Sequence, residues 1–174
     1  TNGLQAVGVF SNGTSLAESI WMVAKSASLI QYSAIANSDN REEGAKLTLT
    51  FTRLVIVFTI VAAIVLLALP ARFYVWLFGA GFEETKPILW VLMPGVIIYN
   101  ISILFGHYFS GTGRYSTNSR VSIAGFVVSG LLYLLLIPTW SVIGAGVAAS
   151  ISYLFTSVLF LYFFSKEYKG WKRE

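Results

Sequence analysis

Two ionisable residues stand inside an apolar stretch near the start of the chain: "SLAESIWMVAKSAS", Ser15 to Ser28, carries Glu18 and Lys25. A carboxylate can take a proton or a small cation, and an ammonium can attract an anion. Seven helical residues rise about 10.5 Å, whereas partners along one helix stand three or four apart. The two charges therefore do not neutralise each other directly. At a helix centre in a bilayer each costs roughly 2.5–3.5 kcal/mol on insertion scales. At 100° per residue, Thr14, Ser15, Glu18, Met22, Lys25, Ser26, Tyr32 and Ser33 fall within about 60° of Ser11. Leu16, Ala17, Ile20, Val23, Ala24, Ala27 and Ile30 fall on the other side. Such a stripe lines a hydrated cavity or meets charges on further helices. The blander alternatives are a structural ion pair to another helix, or an interfacial helix that never spans.

Other residues with chemical potential are few. Arg53 stands near one end of an apolar block, where a long side chain snorkels. His107 is a lone histidine, more often a hydrogen-bonded structural residue than a proton carrier. There is no cysteine, which excludes disulfides and thiolate metal sites. Asp39 is isolated and Glu42-Glu43 has no His or Asp nearby, so no metal ligand set is expected. Asn12-Gly-Thr and Asn100-Ile-Ser match the glycosylation pattern but lie within apolar blocks.

The elements that must carry these residues are membrane helices. The 174 residues are 56% hydrophobic and 11% charged, with a mean hydropathy of +0.71. A soluble surface needs more charge than that. The apolar residues gather in blocks of crossing length, for which roughly 20 residues suffice. Spans are expected at about 4–36, 47–69, 87–109, 121–137 and 142–164, with a tail at 165–174. Strands of about 10 residues do not fit these lengths, so all five are helices. Pro94-Gly95 is expected to kink the third. Gly79 and Gly81 allow the reversal in "ARFYVWLFGAGFEETK", whose aromatics suit the headgroup level. Gly146 and Ser150 form a small-xxx-small packing face.

The net charge of +4 does not point to nucleic acid, because the basic residues sit at block ends as topology signals. Arg41, Lys46, Arg53, Arg114, Arg120, Lys166, Lys169, Lys172 and Arg173 fall on one side, and only Arg72 and Lys86 on the other. This places the carboxy-terminus in the cytoplasm. The chain opens with Thr1 and no signal peptide, and is expected to be the carboxy-terminal part of a larger protein.

Three stretches carry a family likeness. They are "AVGVFSNGTSLAESIWMVAKS", "FYVWLFGAGFEETKPILWVLMPG" and "FSGTGRYSTNSRVSIAGFVVSGLLYLLLIPTWSVIGAGVAASISY". In order and spacing they resemble the eighth helix, the ninth-to-tenth turn and the eleventh and twelfth helices of polysaccharide flippases. These belong to the multidrug/oligosaccharidyl-lipid/polysaccharide (MATE-like) exporter superfamily. The likeness covers nearly the whole chain. It departs in lacking the usual proline at the end of the eighth helix, and in holding about five helices of a six-helix lobe.

The resemblance implies an all-α integral membrane lobe, the second of two. It implies a transporter, not an enzyme, in the bacterial cytoplasmic membrane. Its cargo would be an undecaprenyl-pyrophosphate-linked glycan such as an O-antigen unit, moved by alternating access. Partners would be membrane lipid, the amino-terminal lobe and polysaccharide polymerase machinery, with no cofactor beyond a coupling ion, H+ or Na+. In that setting Lys25 is the residue best placed to attract the pyrophosphate. Glu18 would bind the coupling ion or position Lys25, with Ser15, Thr14 and Ser11 along the same path and Arg53 and His107 as weaker candidates. The rival readings are a drug/cation antiporter of the same superfamily, a membrane enzyme and a helper subunit of glycan assembly.

Overall fold

The computed structural model describes residues 3–38, 40–79 and 85–171. Gly81, Asp39, Lys172 and Arg173 lie outside the described residues. Every described element is a helix: α1 (Gly3–Ser19), α2 (Trp21–Ala36), α3 (Arg41–Ala68), α4 (Ala71–Phe78), α5 (Thr85–Gly111) and α6 (Tyr115–Trp171). Three of them, α3, α5 and α6, are long and apolar enough to cross a membrane. The chain is an all-α membrane domain.

Helix α3 explains why. Its buried residues are small or hydroxyl-bearing: Gly44, Ala45, Thr48, Thr52, Val55, Thr59 and Ala63. Its large apolar residues, Leu54, Val57, Phe58, Val61, Ile64 and Val65, face outward. Water would expel such a surface, whereas lipid accepts it, and small residues inside let helix backbones approach. Thr48, Thr52 and Thr59 each return their hydroxyl to the carbonyl four residues back, so no polar group is left open along this face. The helix starts further upstream than the apolar block, because the Asn40 side chain accepts from the backbone N–H of Glu42 and Glu43. Pro70 ends it.

Helix α5 is the central strut. Residues 4–36 form two helices rather than one, meeting at Ile20, which keeps right-handed helical angles. The break carries neither Gly nor Pro. Beside it, the Trp21 indole N–H is donated to the Val96 carbonyl of α5 at 3.1 Å. The pair runs alongside α5: a Cβ on Gly13 would meet Ile88, and one on Gly111 would meet Ile35. Two buried amides join this layer to α3. Gln31 donates to Thr48 Oγ1 at 2.9 Å and to the Leu104 carbonyl at 3.0 Å, and Asn100 donates to Thr59 Oγ1 at 3.0 Å.

Helix α6 is two helices joined at a kink, where Ser141 takes φ 51° and ψ −128°. The arms pack antiparallel, since a Cβ on Gly125 would meet Thr156. The second arm lies along α5 at close range. Gly146 faces Val91, and the Ser150 hydroxyl donates to the Val91 carbonyl at 2.6 Å. Pro94 sits in that same turn and deprives it of one backbone N–H. Helix α5 stays unbroken through Pro94, and the Ser150 hydroxyl satisfies a carbonyl of the turn the proline loosens.

Where α5 ends, Glu167 of α6 is buried, with its side chain 4% exposed. Its Oε1 accepts from the Tyr108 hydroxyl at 3.3 Å. Its Oε2 pairs with Arg114 Nη1 at 2.9 Å and has no further partner among the described residues. Arg114→Ala would strand a desolvated carboxylate and is expected to cost about 2–3 kcal/mol, below the fully buried limit because Arg114 is 44% exposed. The double variant Arg114→Ala/Glu167→Gln should recover most of that loss in thermal unfolding of the detergent-solubilised protein. Strict additivity of the two changes would contradict it.

Candidate functional site

A cavity of about 660 Å³ opens between α2, α5 and both arms of α6. Its lining is built from helical stripes. Ser102, Gly106 and Ser110 come from α5 at four-residue spacing. Ser122, Gly125, Phe126 and Ser129 come from the first arm of α6, and Ser152, Tyr153, Thr156 and Phe160 from the second. Trp21 and Lys25 project from α2, and Tyr99, Ile103, His107 and Asn118 complete the wall.

The polar groups are held in place by the backbone. The His107 Nδ1 lies 2.9 Å from the Ile103 carbonyl, so this nitrogen carries a proton and donates it. The edge of the His107 ring meets Tyr32, with centroids 6.3 Å apart. Asn118 donates to the Gly106 carbonyl at 2.9 Å and to Ser110 Oγ at 2.7 Å, while its buried Oδ1 has no partner among the described residues. Ser102 and Ser157 share a hydrogen bond of 2.9 Å. Trp21, Tyr99 and Tyr153 form a contiguous aromatic cluster with centroids 4.7–5.3 Å apart.

Lys25 is the one formally charged side chain among the described residues of this lining. Glu18 stands one layer back. Its Oε1 accepts from the Tyr153 hydroxyl at 2.8 Å, across the join of α1 and α2. The arrangement offers an ammonium, several hydroxyls, an imidazole and aromatic faces, with no carboxylate lining the described wall. Such a surface suits a hydroxyl-rich ligand that carries negative charge.

The residues singled out from sequence are thus divided. Lys25 and His107 share the cavity, and Glu18 reaches it through Tyr153. Ser11, Thr14 and Ser15 lie outside this cavity on α1, where Ser11 and Ser15 are exposed and Thr14 returns its hydroxyl to Phe10 and Ser11 carbonyls. Arg53 is exposed on α3, away from the cavity. The serines of α5 and α6 were missed. Their signal was available: Ser122 and Ser129 stand seven apart, and Ser152 and Thr156 four apart, so each pair marks a single helix face.

Comparison with known proteins gives two matches. A family model described as Lipid II flippase MurJ matches residues 15–173. A stretch of 90 residues is 29% identical to the capsular polysaccharide biosynthesis protein CapF of Staphylococcus aureus, covering 52% of this chain and 23% of that relative. The match therefore takes in less than a quarter of the relative's length. No solved structure matches.

Proposed function

Since the chain belongs to the lipid II flippase MurJ family, we propose that it forms the second lobe of a transporter for lipid-linked glycans. The transporter would work by alternating access in the bacterial cytoplasmic membrane, with the carboxy-terminus in the cytoplasm. The cavity between α2, α5 and α6 is its part of the headgroup path. The observation that carries this reading is Lys25, the one formally charged side chain in a largely apolar and aromatic wall dotted with hydroxyls. A pyrophosphate-linked sugar has the complementary features: an anionic link and many hydroxyls. The polyprenyl tail stays in lipid beside the outward apolar faces.

The physical task is desolvation. A pyrophosphate crossing a dry bilayer loses its hydration shell, and an ammonium within a hydrated cavity offsets part of that cost. Hydroxyls at helical spacing replace water around the sugar without adding charge. A drug/cation antiporter would instead want a carboxylate facing its cargo, whereas Glu18 stands behind the described wall and is turned to Tyr153.

The decisive experiment uses the full-length protein reconstituted in vesicles with a fluorescent undecaprenyl-pyrophosphate disaccharide. Time-dependent appearance of the sugar in the opposite leaflet is expected, with no efflux of organic cations and no consumption of nucleotide sugars. Cation efflux without glycan translocation would reassign the protein to the antiporters. Offering a peptidoglycan precursor and a capsular repeat unit in parallel then sets the cargo.

A further inference from the structure

The short helix α4 plays no part in the cavity. It begins two residues after α3 ends, with only Leu69 and Pro70 between them, so it sits at the depth where α3 stops. One side is tied inward: Tyr74 is buried and donates its hydroxyl to the Leu66 carbonyl in the last turn of α3. The opposite side carries Arg72 and Trp76, four residues apart and both exposed, Trp76 to 79%. Phe73 packs beside Trp76, with ring centroids 6.0 Å apart.

What covers this face follows from its continuity with α3. The outward side of α3, from Leu54 to Val65, is an apolar strip that acyl chains cover in a membrane protein. Eight residues rise about 12 Å, too little to cross, so α4 continues that strip to the level where acyl chains give way to headgroups. An indole with an apolar body and a polar N–H suits this level, and a guanidinium one turn away suits the phosphates.

We propose that α4 is an interfacial anchor whose Arg72–Trp76 face docks on the phospholipid headgroup region. The anchor bears on the cavity through Lys86, whose Nζ donates to the Leu69 carbonyl at 2.8 Å and clasps the start of α5 to the end of α3. Because α5 carries Tyr99, Ser102 and His107, the docking of α4 sets the membrane depth of one cavity wall. The inference rests on the membrane class of the fold and is independent of the cargo.

The test is depth-resolved quenching of the full-length protein in phosphatidylcholine–phosphatidylglycerol vesicles. The difference in fluorescence between wild type and Trp76→Phe isolates the Trp76 signal, and Trp76→Tyr serves as a second variant should the first fold poorly. Lipids brominated close to the headgroup are expected to quench that signal at least twofold more than lipids brominated near the chain ends. Strongest quenching by deep bromines would overturn the proposal by placing α4 in the hydrocarbon. Quenching by aqueous iodide with no lipid dependence, or by none of these probes, would equally overturn it, by placing the face in water or under another part of the protein.

Discussion

Lys25→Gln in the full-length protein is expected to lower the initial rate of glycan translocation roughly 10- to 100-fold at limiting substrate. The figure follows from what an ammonium contributes: a hydrogen bond to a charged group is worth about 1.5–3 kcal/mol, and each 1.4 kcal/mol is a factor of ten. No other formally charged side chain among the described lining residues can take over. Glutamine is one methylene shorter, stays polar and removes the charge, and at the exposed Lys25 position the change creates no packing fault. Lys25 is exposed to the cavity in this lobe, and its loss should leave thermal stability within about 0.5 kcal/mol. Lys25→Arg should keep most of the rate, because a delocalised cation still meets a pyrophosphate. An unchanged rate in Lys25→Gln, measured at equal amounts of reconstituted protein, would remove Lys25 from the path. An equal fall in Lys25→Arg and Lys25→Gln would assign it a purely geometric role.

The membrane class of the fold is legible because lipid imposes a coarse rule that composition alone reveals. The unbroken apolar run "LVIVFTIVAAIVLLAL", Leu54 to Leu69, leaves α3 no other stable environment. Finer features depend on contacts that no local pattern carries. The α1–α2 join at Ile20 has no helix breaker, and the Trp21–Val96 bond beside it spans 75 residues of sequence. The partner of Glu18 is likewise remote, 135 residues on at Tyr153. A polar stripe read from one helix could not say which of its members would meet a tyrosine, a cavity or the outside. The wheel set Lys25 and Ser15 on the same side, yet the structure separates them along the length of α1 and α2.

The serine wall was legible in principle and overlooked because hydroxyls at helical spacing hardly lower the hydropathy of a span. Ser102, Ser122, Ser129 and Ser152 sit inside runs that read as hydrocarbon. Only their convergence from three helix segments brings them to one cavity. Pro94 illustrates the converse. The proline is plain in the sequence and lies inside α5, while the Ser150 hydroxyl that serves the Val91 carbonyl of the same turn comes from 59 residues away.

That junction yields the largest expected effect on stability. A Cβ at Gly95 would stand 2.5 Å from the Ser150 Cα, a backbone atom that no rotamer change can move aside. Gly95→Ala therefore forces α5 and the second arm of α6 apart. The overpacking costs about 1–3 kcal/mol. Separation also breaks the half-buried Ser150–Val91 hydrogen bond, for roughly another 1–1.5 kcal/mol. Against this, alanine gains only about 1 kcal/mol over glycine in helix propensity. The steric and polar terms win, and a net loss of about 2–3 kcal/mol is expected in thermal unfolding of the detergent-solubilised protein. Ser150→Ala isolates the polar part and should cost about 1 kcal/mol with the helices still in contact. Both helices line the cavity, so Gly95→Ala should also depress translocation, whereas Ser150→Ala should leave it nearly intact. A Gly95→Ala protein as stable as wild type would mean that the two helices do not approach as closely as the Gly95–Ser150 contact requires.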